Sequence, residues 1–302
     1  MTITGKFQAK LLRLAFGEQW VIGARPCSGP HPDAGIAGCT LLEPPAGEQY
    51  ADPFVINVGK TTYVLFESWG GRNPKGVIQF ATLDRDGRWS EPEVALQRPY
   101  HLSYPFVFSW RGDFHLLPET HHNKTIELYR ATEFPRRWEL AAVLMDRVDA
   151  VDTTLFEYQG RWWMFTAGLG DSRARFRQLS LFYASSPFGP WVPHALNPVI
   201  NDLGGARPAG RLYVNNGQLI RPSQDCRFRY GYAISWNRVD QLNEREYHET
   251  CLSKLKPKYT AGWLATHTFN QDGCWQVFDG KRVTRSLGRE LGCHSADTTH
   301  ED

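Results

Sequence analysis

The sequence predicts an all-β protein, a five-bladed β-propeller in which an N-terminal strand closes the last blade. Three observations predict it. Strand-like segments recur with a period near fifty residues. Each unit alternates apolar and polar residues between turn residues. The first three units end on a tryptophan, at Trp89, Trp138 and Trp191. Repeats of this length built from short strands are typical of propeller blades.

The first three units share one order of strands and turns. Each opens on a strand, turns at a glycine, returns on a second strand and adds a third. The leading strands cover residues 50–55, 103–108 and 151–156, and the second strands cover 62–67, 114–119 and 162–167. The leading polar positions are Asp52, Tyr104 and Asp152, spaced by 52 and 48 residues. This regular spacing predicts that the three side chains occupy equivalent places in successive blades.

The last two units complete the ring. A fourth begins near Arg207 and a fifth near Thr266, but the fifth is short of strands. The strand-like residues 19–23 precede the first blade, so we expect them to join the fifth and remove its open edge. Residues 243–255 carry the best helix signal in the chain. No linker divides the sequence, which predicts one domain over residues 1–302.

Composition narrows the function classes. A net charge of +2 gives no case for nucleic acid or an anionic membrane as partner. No stretch reaches the roughly 20 apolar residues of a membrane span, and the N-terminus lacks a secretory pattern. The six cysteines form no CxxC pair, which predicts reduced thiols in a cytoplasmic protein. Without a phosphate loop, a GxGxxG motif or an acidic metal loop, we expect no cofactor and no metal.

The first strand of every propeller blade lines the central channel, so residues far apart in sequence should meet there. This register predicts a polar pocket in which the second strands also end near the centre or its rim. The first strands supply Asp52, Tyr104, Asp152, Arg207 and His267, and the second strands supply Glu67, Glu119, Arg221, Gln224, Asp225 and Asp279.

Aspartate is disfavoured inside strands, so two of them at equivalent positions require a reason. One reading is structural, a hydrogen bond that holds the start of the blade. The other is chemical, because carboxyl groups that face each other across a channel form the glycosidase arrangement. Arg207 and Arg221 likewise allow two readings: internal ion pairs, or a grip on an anionic group of a carbohydrate substrate.

The segments around Asp52 and Asp152 resemble the five-bladed propeller glycosidases of family 43 and their invertase-like relatives. A closer resemblance, over nearly the whole chain, is to the N-terminal propeller domain of plant glucosamine inositolphosphorylceramide transferases and its bacterial stand-alone relatives. The stretches that carry it are residues 50–54, 117–120, 207–210, 221–226 with 230–232, and 266–270.

The family 43 resemblance implies that Asp52 is the general base and that Asp152 orients and tunes it. The fourth blade departs from that family, since it offers arginines where those hydrolases supply the acidic glutamate. Glu119, or else Glu67 or Asp225, would then be the acid. The alternatives are a non-catalytic carbohydrate-binding module, or a transferase or lyase that uses the same pocket; in each, Tyr104, Arg207, Arg221, Gln224, Asp225, His267 and Glu67 would contact the substrate.

Overall fold

The computed structural model describes residues 16–27, 29, 35–71, 73–170 and 173–285. Within them, five antiparallel sheets form the five blades of a propeller. Blade 1 consists of β3 (Glu48–Val58), β4 (Thr61–Gly70), β5 (Asn73–Leu83) and β6 (Glu93–Leu96). Blade 2 consists of β7 (Ser103–Trp110), β8 (Asp113–Thr120), β9 (Thr125–Glu133) and β10 (Arg137–Asp146). The predicted fold class is confirmed.

Blades 3 and 4 repeat this order. Blade 3 consists of β11 (Val151–Tyr158), β12 (Arg161–Ala167), β13 (Gln178–Ala184), β14 (Val192–Pro193) and β15 (Ile200–Asn201). Blade 4 consists of β16 (Tyr213–Asn215), β17 (Gln218–Asp225), β18 (Ala233–Leu242) and β19 (Tyr247–Leu255). One short helix, Ala174–Arg177, and 3-10 turns at His121–Asn123 and Tyr259–Ala261 lie in the connections. No helix in the described part of the chain is both long and apolar enough to cross a membrane.

Blade 5 joins the two ends of the described chain. It consists of β20 (Trp263–Ala265), β21 (Phe269–Asp272), β22 (Trp275–Arg285), β1 (Phe16–Pro26) and β2 (Thr40–Leu42). β1 pairs with β22 along its whole length, with Trp20 opposite Lys281 and Ile22 opposite Asp279. The expected closure by residues 19–23 is therefore confirmed. Because β1 pairs with β22, strands from both ends of the described chain share blade 5, and this pairing closes the ring.

The helix predicted over residues 243–255 is wrong. Residues Tyr247–Leu255 form β19, the outer strand of blade 4, which pairs with β18. Most side chains of an outer strand are exposed, as they are in β19, so no strict apolar alternation marks it as a strand. The run Glu244, Arg245 and Glu246 suggested a helix but lies in the turn before β19.

The core lies between neighbouring blades, where apolar faces of successive sheets stack. The tryptophans that end the first three units are part of it. Trp138 and Trp191 pack against the largest apolar cluster, and Trp89 packs against two smaller ones. These contacts hold the blades at a fixed angle around the axis, and the angle sets where the leading residues of each blade point.

Candidate active site in the propeller centre

A shared backbone feature aims three leading residues at the propeller axis. Asp52, Tyr104 and Asp152 have φ values of 53°, 43° and 51°, in the left-handed region. Each lies in a β-bulge, where the register between the first and second strands shifts. A non-glycine residue in this region is strained and persists only where surrounding contacts hold it. The same β-bulge with a left-handed residue therefore appears in three successive blades.

Acidic side chains from the preceding blade hold two of these bulges. The backbone N–H of Asp52 donates to Oδ2 of Asp279 at 3.2 Å, and the N–H of Asp152 donates to Oε2 of Glu119 at 3.1 Å. Asp279 and Glu119 lie on the second strands of blades 5 and 2. Each acid thus satisfies a backbone donor that the bulge frees from the sheet ladder.

On one side of the site, Asp52, His267 and Asp279 form a buried cluster. Oδ1 of Asp52 accepts a hydrogen bond from the Thr268 hydroxyl at 2.7 Å, and its Oδ2 accepts one from the Tyr104 N–H at 3.2 Å. Nδ1 of His267 lies 2.5 Å from Oδ2 of Asp279 and 3.9 Å from Oδ1 of Asp52. The imidazole therefore lies between two carboxylates.

On the other side, Asp152 binds Arg207 and Gln224. The Nε of Arg207 is 2.5 Å from Oδ2 of Asp152, its Nη2 is 3.3 Å from Oδ1, and the Gln224 amide donates to Oδ2 at 2.8 Å. The Nη2 of Arg207 also lies 3.9 Å from Glu119. The Arg207 fork is thus engaged by protein carboxylates, as in the structural reading of this arginine.

Glu67 adds a third carboxyl near Asp52. Its Oε1 lies 2.7 Å from Nε2 of His101. The Nδ1 of His101 accepts the N–H of Gly76 at 2.8 Å, so the neutral ring carries its proton on Nε2 and donates it to Glu67. His101 precedes blade 2 in a connection without repeat character, and no sequence signal singled it out.

Side chains that connect neighbouring blades form the base of the site. Tyr104 is fully buried, and its hydroxyl lies 2.9 Å from that of Thr154 and accepts the N–H of Gly210 at 2.7 Å. Beside it, the Arg211 guanidinium donates to the carbonyl of Val107. Tyr104 therefore links β7 to Thr154 of β11 and to the backbone of Gly210, and protein encloses its side chain.

Burial raises the pKa values of two carboxyl groups in the site. Burial raises the pKa of Asp52 to about 6; the His267 charge opposes that rise and the Asp152 charge adds to it. Burial and the negative charge of Asp152 raise the pKa of Glu119 well above its usual range, against the effect of Arg207. Near neutral pH, Asp52 is mostly ionised, and burial beside Asp152 favours the protonated form of Glu119.

Two predicted pocket residues lie elsewhere. Gln224 points to the axis, and because side chains alternate along a strand, Arg221 and Asp225 lie on the other face of β17. Arg221 pairs with Glu249 at 2.7 Å within blade 4. Asp225 binds Arg227 and Lys254, which lower its pKa to about 2 despite partial burial. Neither residue joins the central network, and Asp225 is too acidic to serve as a proton donor.

Sequence reasoning missed the aromatic residues around the site. The Trp20 ring stacks on His267 with centroids 4.2 Å apart, and Tyr230 meets His267 edge-on at 5.2 Å. The Arg207 guanidinium lies 4.9 Å from the centroid of the Tyr230 ring. Trp20 comes from the closing strand and Tyr230 from a loop, so neither belongs to the repeat that predicted the pocket.

Asp52, His267 and Asp279 each place a ligand-type atom within 4.8 Å of the others, so their geometry would allow a metal ion. The hydrogen bonds that these three residues make favour a proton on His267 over a bound metal ion. Asp279 already accepts the N–H groups of His267 and Thr268 at Oδ1. A cation at this point would have to displace the His267 proton that Asp279 stabilises.

The His267 cluster makes stability depend on pH. Burial alone would lower the pKa of His267, but Asp279 and Asp52 outweigh it and raise the pKa from 6.5 to about 9. The stabilisation by the charged ring is complete below about pH 6.5 and is lost as pH rises through about 9. Urea denaturation measures the unfolding free energy that the His267→Asn substitution removes. We expect this loss to be about 3 kcal/mol larger near pH 6 than near pH 10.

His115→Asn is the matched control. His115 is also a buried histidine, but burial lowers its pKa instead of raising it. Its cost should therefore not decrease as pH rises from about 7 through 9. A constant cost for His267→Asn would show that the His267 ring is neutral in the folded protein.

Comparison with known proteins places this fold and site in context. Residues 37–267 match the family described as "Glucosamine inositolphosphorylceramide transferase 1, N-terminal". The rice protein (Oryza sativa subsp. japonica) with that transferase's name is 37% identical over 203 residues, which are 66% of this chain and 27% of the rice protein. The chain therefore spans about a quarter of the length of this curated relative.

Among solved structures, similarity extends to propeller glycosidases. A family 117 glycoside hydrolase from Zobellia galactanivorans superposes with a TM-score of 0.57 at 14% identity and covers 87% of this chain and 90% of its own. An α-L-arabinofuranosidase from Podospora anserina superposes with a TM-score of 0.58 at 12% identity, covering 87% and 97%. At these identities the likeness establishes the fold alone.

Proposed function

The chain belongs to the family defined by the N-terminal region of glucosamine inositolphosphorylceramide transferase 1, and from that premise we propose that its central pocket binds a glycoside and hydrolyses it with inversion. Asp52 is the general base that activates water, and Glu119 is the general acid that protonates the leaving oxygen. Asp152 tunes both groups, since its charge raises the pKa of each. Gln224 and Arg207 hold Asp152 in place.

One observation carries this proposal: Asp52 and Glu119 are two carboxyl groups of one central network that meet different partners, His267 beside Asp52 and Asp152 with Arg207 beside Glu119. Acid–base cleavage of a glycoside needs one ionised and one protonated carboxyl group. A pKa of about 6 leaves Asp52 ionised at neutral pH, while burial and the charge of Asp152 favour the protonated form of Glu119. Glu67 has a pKa raised by burial and by Asp52, but its contact with His101 directs it away from Arg207 and Asp152.

The substrate class follows from the family and the site. The relatives are named for glucosamine and inositolphosphorylceramide, so a glucosaminyl-inositol phosphate is the first substrate to test. The two arginines predicted for the pocket do not support a preference for anions, because Arg207 is paired with Asp152, and Arg221 lies outside the pocket and is paired with Glu249. Tyr230, which is 44% exposed beside His267, provides an aromatic surface on which a sugar ring can pack.

A second candidate is a binding module without catalysis. The hydrogen bonds of Asp52 favour it, because one carboxylate oxygen already accepts from Thr268 and the other from Tyr104. A pocket held this rigidly suits recognition, and a base must release one of these bonds as water approaches. The two candidates differ in turnover and agree in binding.

The experiment is incubation of the full chain with soluble glucosaminyl-inositol phosphate in ¹⁸O-labelled water. Hydrolysis with inversion is expected to release glucosamine that carries the label, with the opposite anomer detected first by NMR. Glu119→Gln should retain binding by calorimetry and lose cleavage. Binding without cleavage by wild type would favour the binding module, and neither binding nor cleavage would refute the proposed substrate class.

A further inference from the structure

Two loops at the pocket end of the propeller form a surface that the proposed chemistry does not use. One loop joins β17 to β18 and begins beside the pocket residue Gln224. The other joins β19 to β20, the strand that leads to His267. We call their exposed side chains the basic–aromatic patch, which consists of Arg227, Phe228, Arg229, Tyr230, Lys256, Lys258 and Tyr259.

The aromatic members of the patch are unusually exposed. Phe228 is 81% exposed, Tyr259 57% and Tyr230 44%. Tyr232 ties the two loops together, since its ring lies 4.9 Å from that of Phe228 and 6.3 Å from that of Tyr259. An adjacent group of large apolar rings facing water indicates a contact surface rather than scattered exposure.

Basic residues alternate with these rings. Arg227 pairs with Asp225, and Arg229 lies 3.7 Å from Glu18. Among the described residues, neither Lys256 nor Lys258 has an acidic partner within 4.0 Å, and both are exposed. The net charge of +2 predicted no attraction to an anionic membrane, but an average over the chain does not describe the charge of one face.

We propose that the basic–aromatic patch docks on a bilayer surface that contains anionic phospholipid. Aromatic rings favour the membrane interface, where their apolar bodies leave water, and Lys and Arg side chains are attracted to an anionic surface. Tyr230 joins the patch to the pocket, because its ring contacts both Arg207 and His267. Docking in this way turns the open side of the pocket toward the lipid headgroups.

The test is co-sedimentation of the full chain with vesicles of phosphatidylcholine alone, or with about 30% phosphatidylserine added. The protein is expected to bind the mixed vesicles and to be released by salt. Two double variants, Phe228→Ala with Tyr259→Ala and Lys256→Glu with Lys258→Glu, should each weaken binding by about tenfold or more. All four residues are exposed, and thermal unfolding verifies that the variants fold.

The control variant combines Lys60→Glu with Val214→Ala. Lys60 lies in the turn between β3 and β4, and Val214 is an exposed residue of β16, both away from the patch. Equal loss in this control, equal binding to both kinds of vesicle, or unchanged binding of the patch variants would overturn the proposal. The proposal would also be overturned if the patch variants lost only the binding of a soluble glycan, or lost only self-association. The vesicles contain no glycan, so the result is independent of the proposed hydrolysis.

Discussion

Replacing Arg207 by Met is expected to destabilise the protein by about 3–5 kcal/mol, the usual effect of leaving a buried charge without its partner. Asp152 is buried, and Arg207 contacts both of its carboxylate oxygens. Without the guanidinium, that carboxylate keeps the amide of Gln224 and the carboxyl of Glu119 as side-chain partners but loses its cation. Urea denaturation at pH 7 measures the loss.

The double variant Arg207→Met with Asp152→Asn should recover most of that free energy, because it removes the stranded charge. Arg136→Met is the matched surface control: Arg136 also makes a two-bond pair with a carboxylate, Glu93, but both side chains are about half exposed. Its expected cost is about 0–1 kcal/mol. A similar cost for Arg207→Met, or no recovery in the double variant, would contradict the expected contribution of the Arg207–Asp152 pair.

The repeat predicted the fold well because its signals are local and recur. Glycine turns, apolar alternation and terminal tryptophans mark each blade, and the spacing of Asp52, Tyr104 and Asp152 located three equivalent bulges. The shortage of strands after Thr266 predicted the closing strand. The outer strand β19 was not predicted, because its exposed side chains carry no alternation that a buried strand would show.

The site could be predicted only where the repeat itself supplies residues. Which face of β17 points inward depends on its register, and the sequence did not fix that register. Gln224 therefore lies at the axis while Arg221 and Asp225 do not. His101 and Tyr230 lie in connections, where no period applies, and Trp20 is more than two hundred residues from His267 in sequence. Such contacts arise from closure of the ring and have no local signature.

Asp52→Asn is expected to lower turnover of a glycoside substrate by about 10²–10⁴-fold, the usual effect of losing a general base. The amide keeps the shape of the side chain and can still accept the Tyr104 N–H, while Thr268 can accept a hydrogen bond from it in place of donating one. Binding and fold should therefore survive. In wild type, kcat/KM should fall as pH drops through about 6, because Asp52 then takes up a proton. Its fall at high pH should follow ionisation of Glu119.

Asp113→Asn is the control, an exposed aspartate at the start of β8 that lies outside the central network. It should leave turnover and the pH profile unchanged. Glu119→Gln should remove the high-pH limb, since it removes the proton donor, whereas Glu67→Gln should retain that limb. If Asp52→Asn keeps full turnover on a substrate that wild type cleaves, Asp52 is not the base. Because Asp225 remains ionised at neutral pH beside Arg227 and Lys254, the search for the acting carboxyl groups would then turn to Glu67.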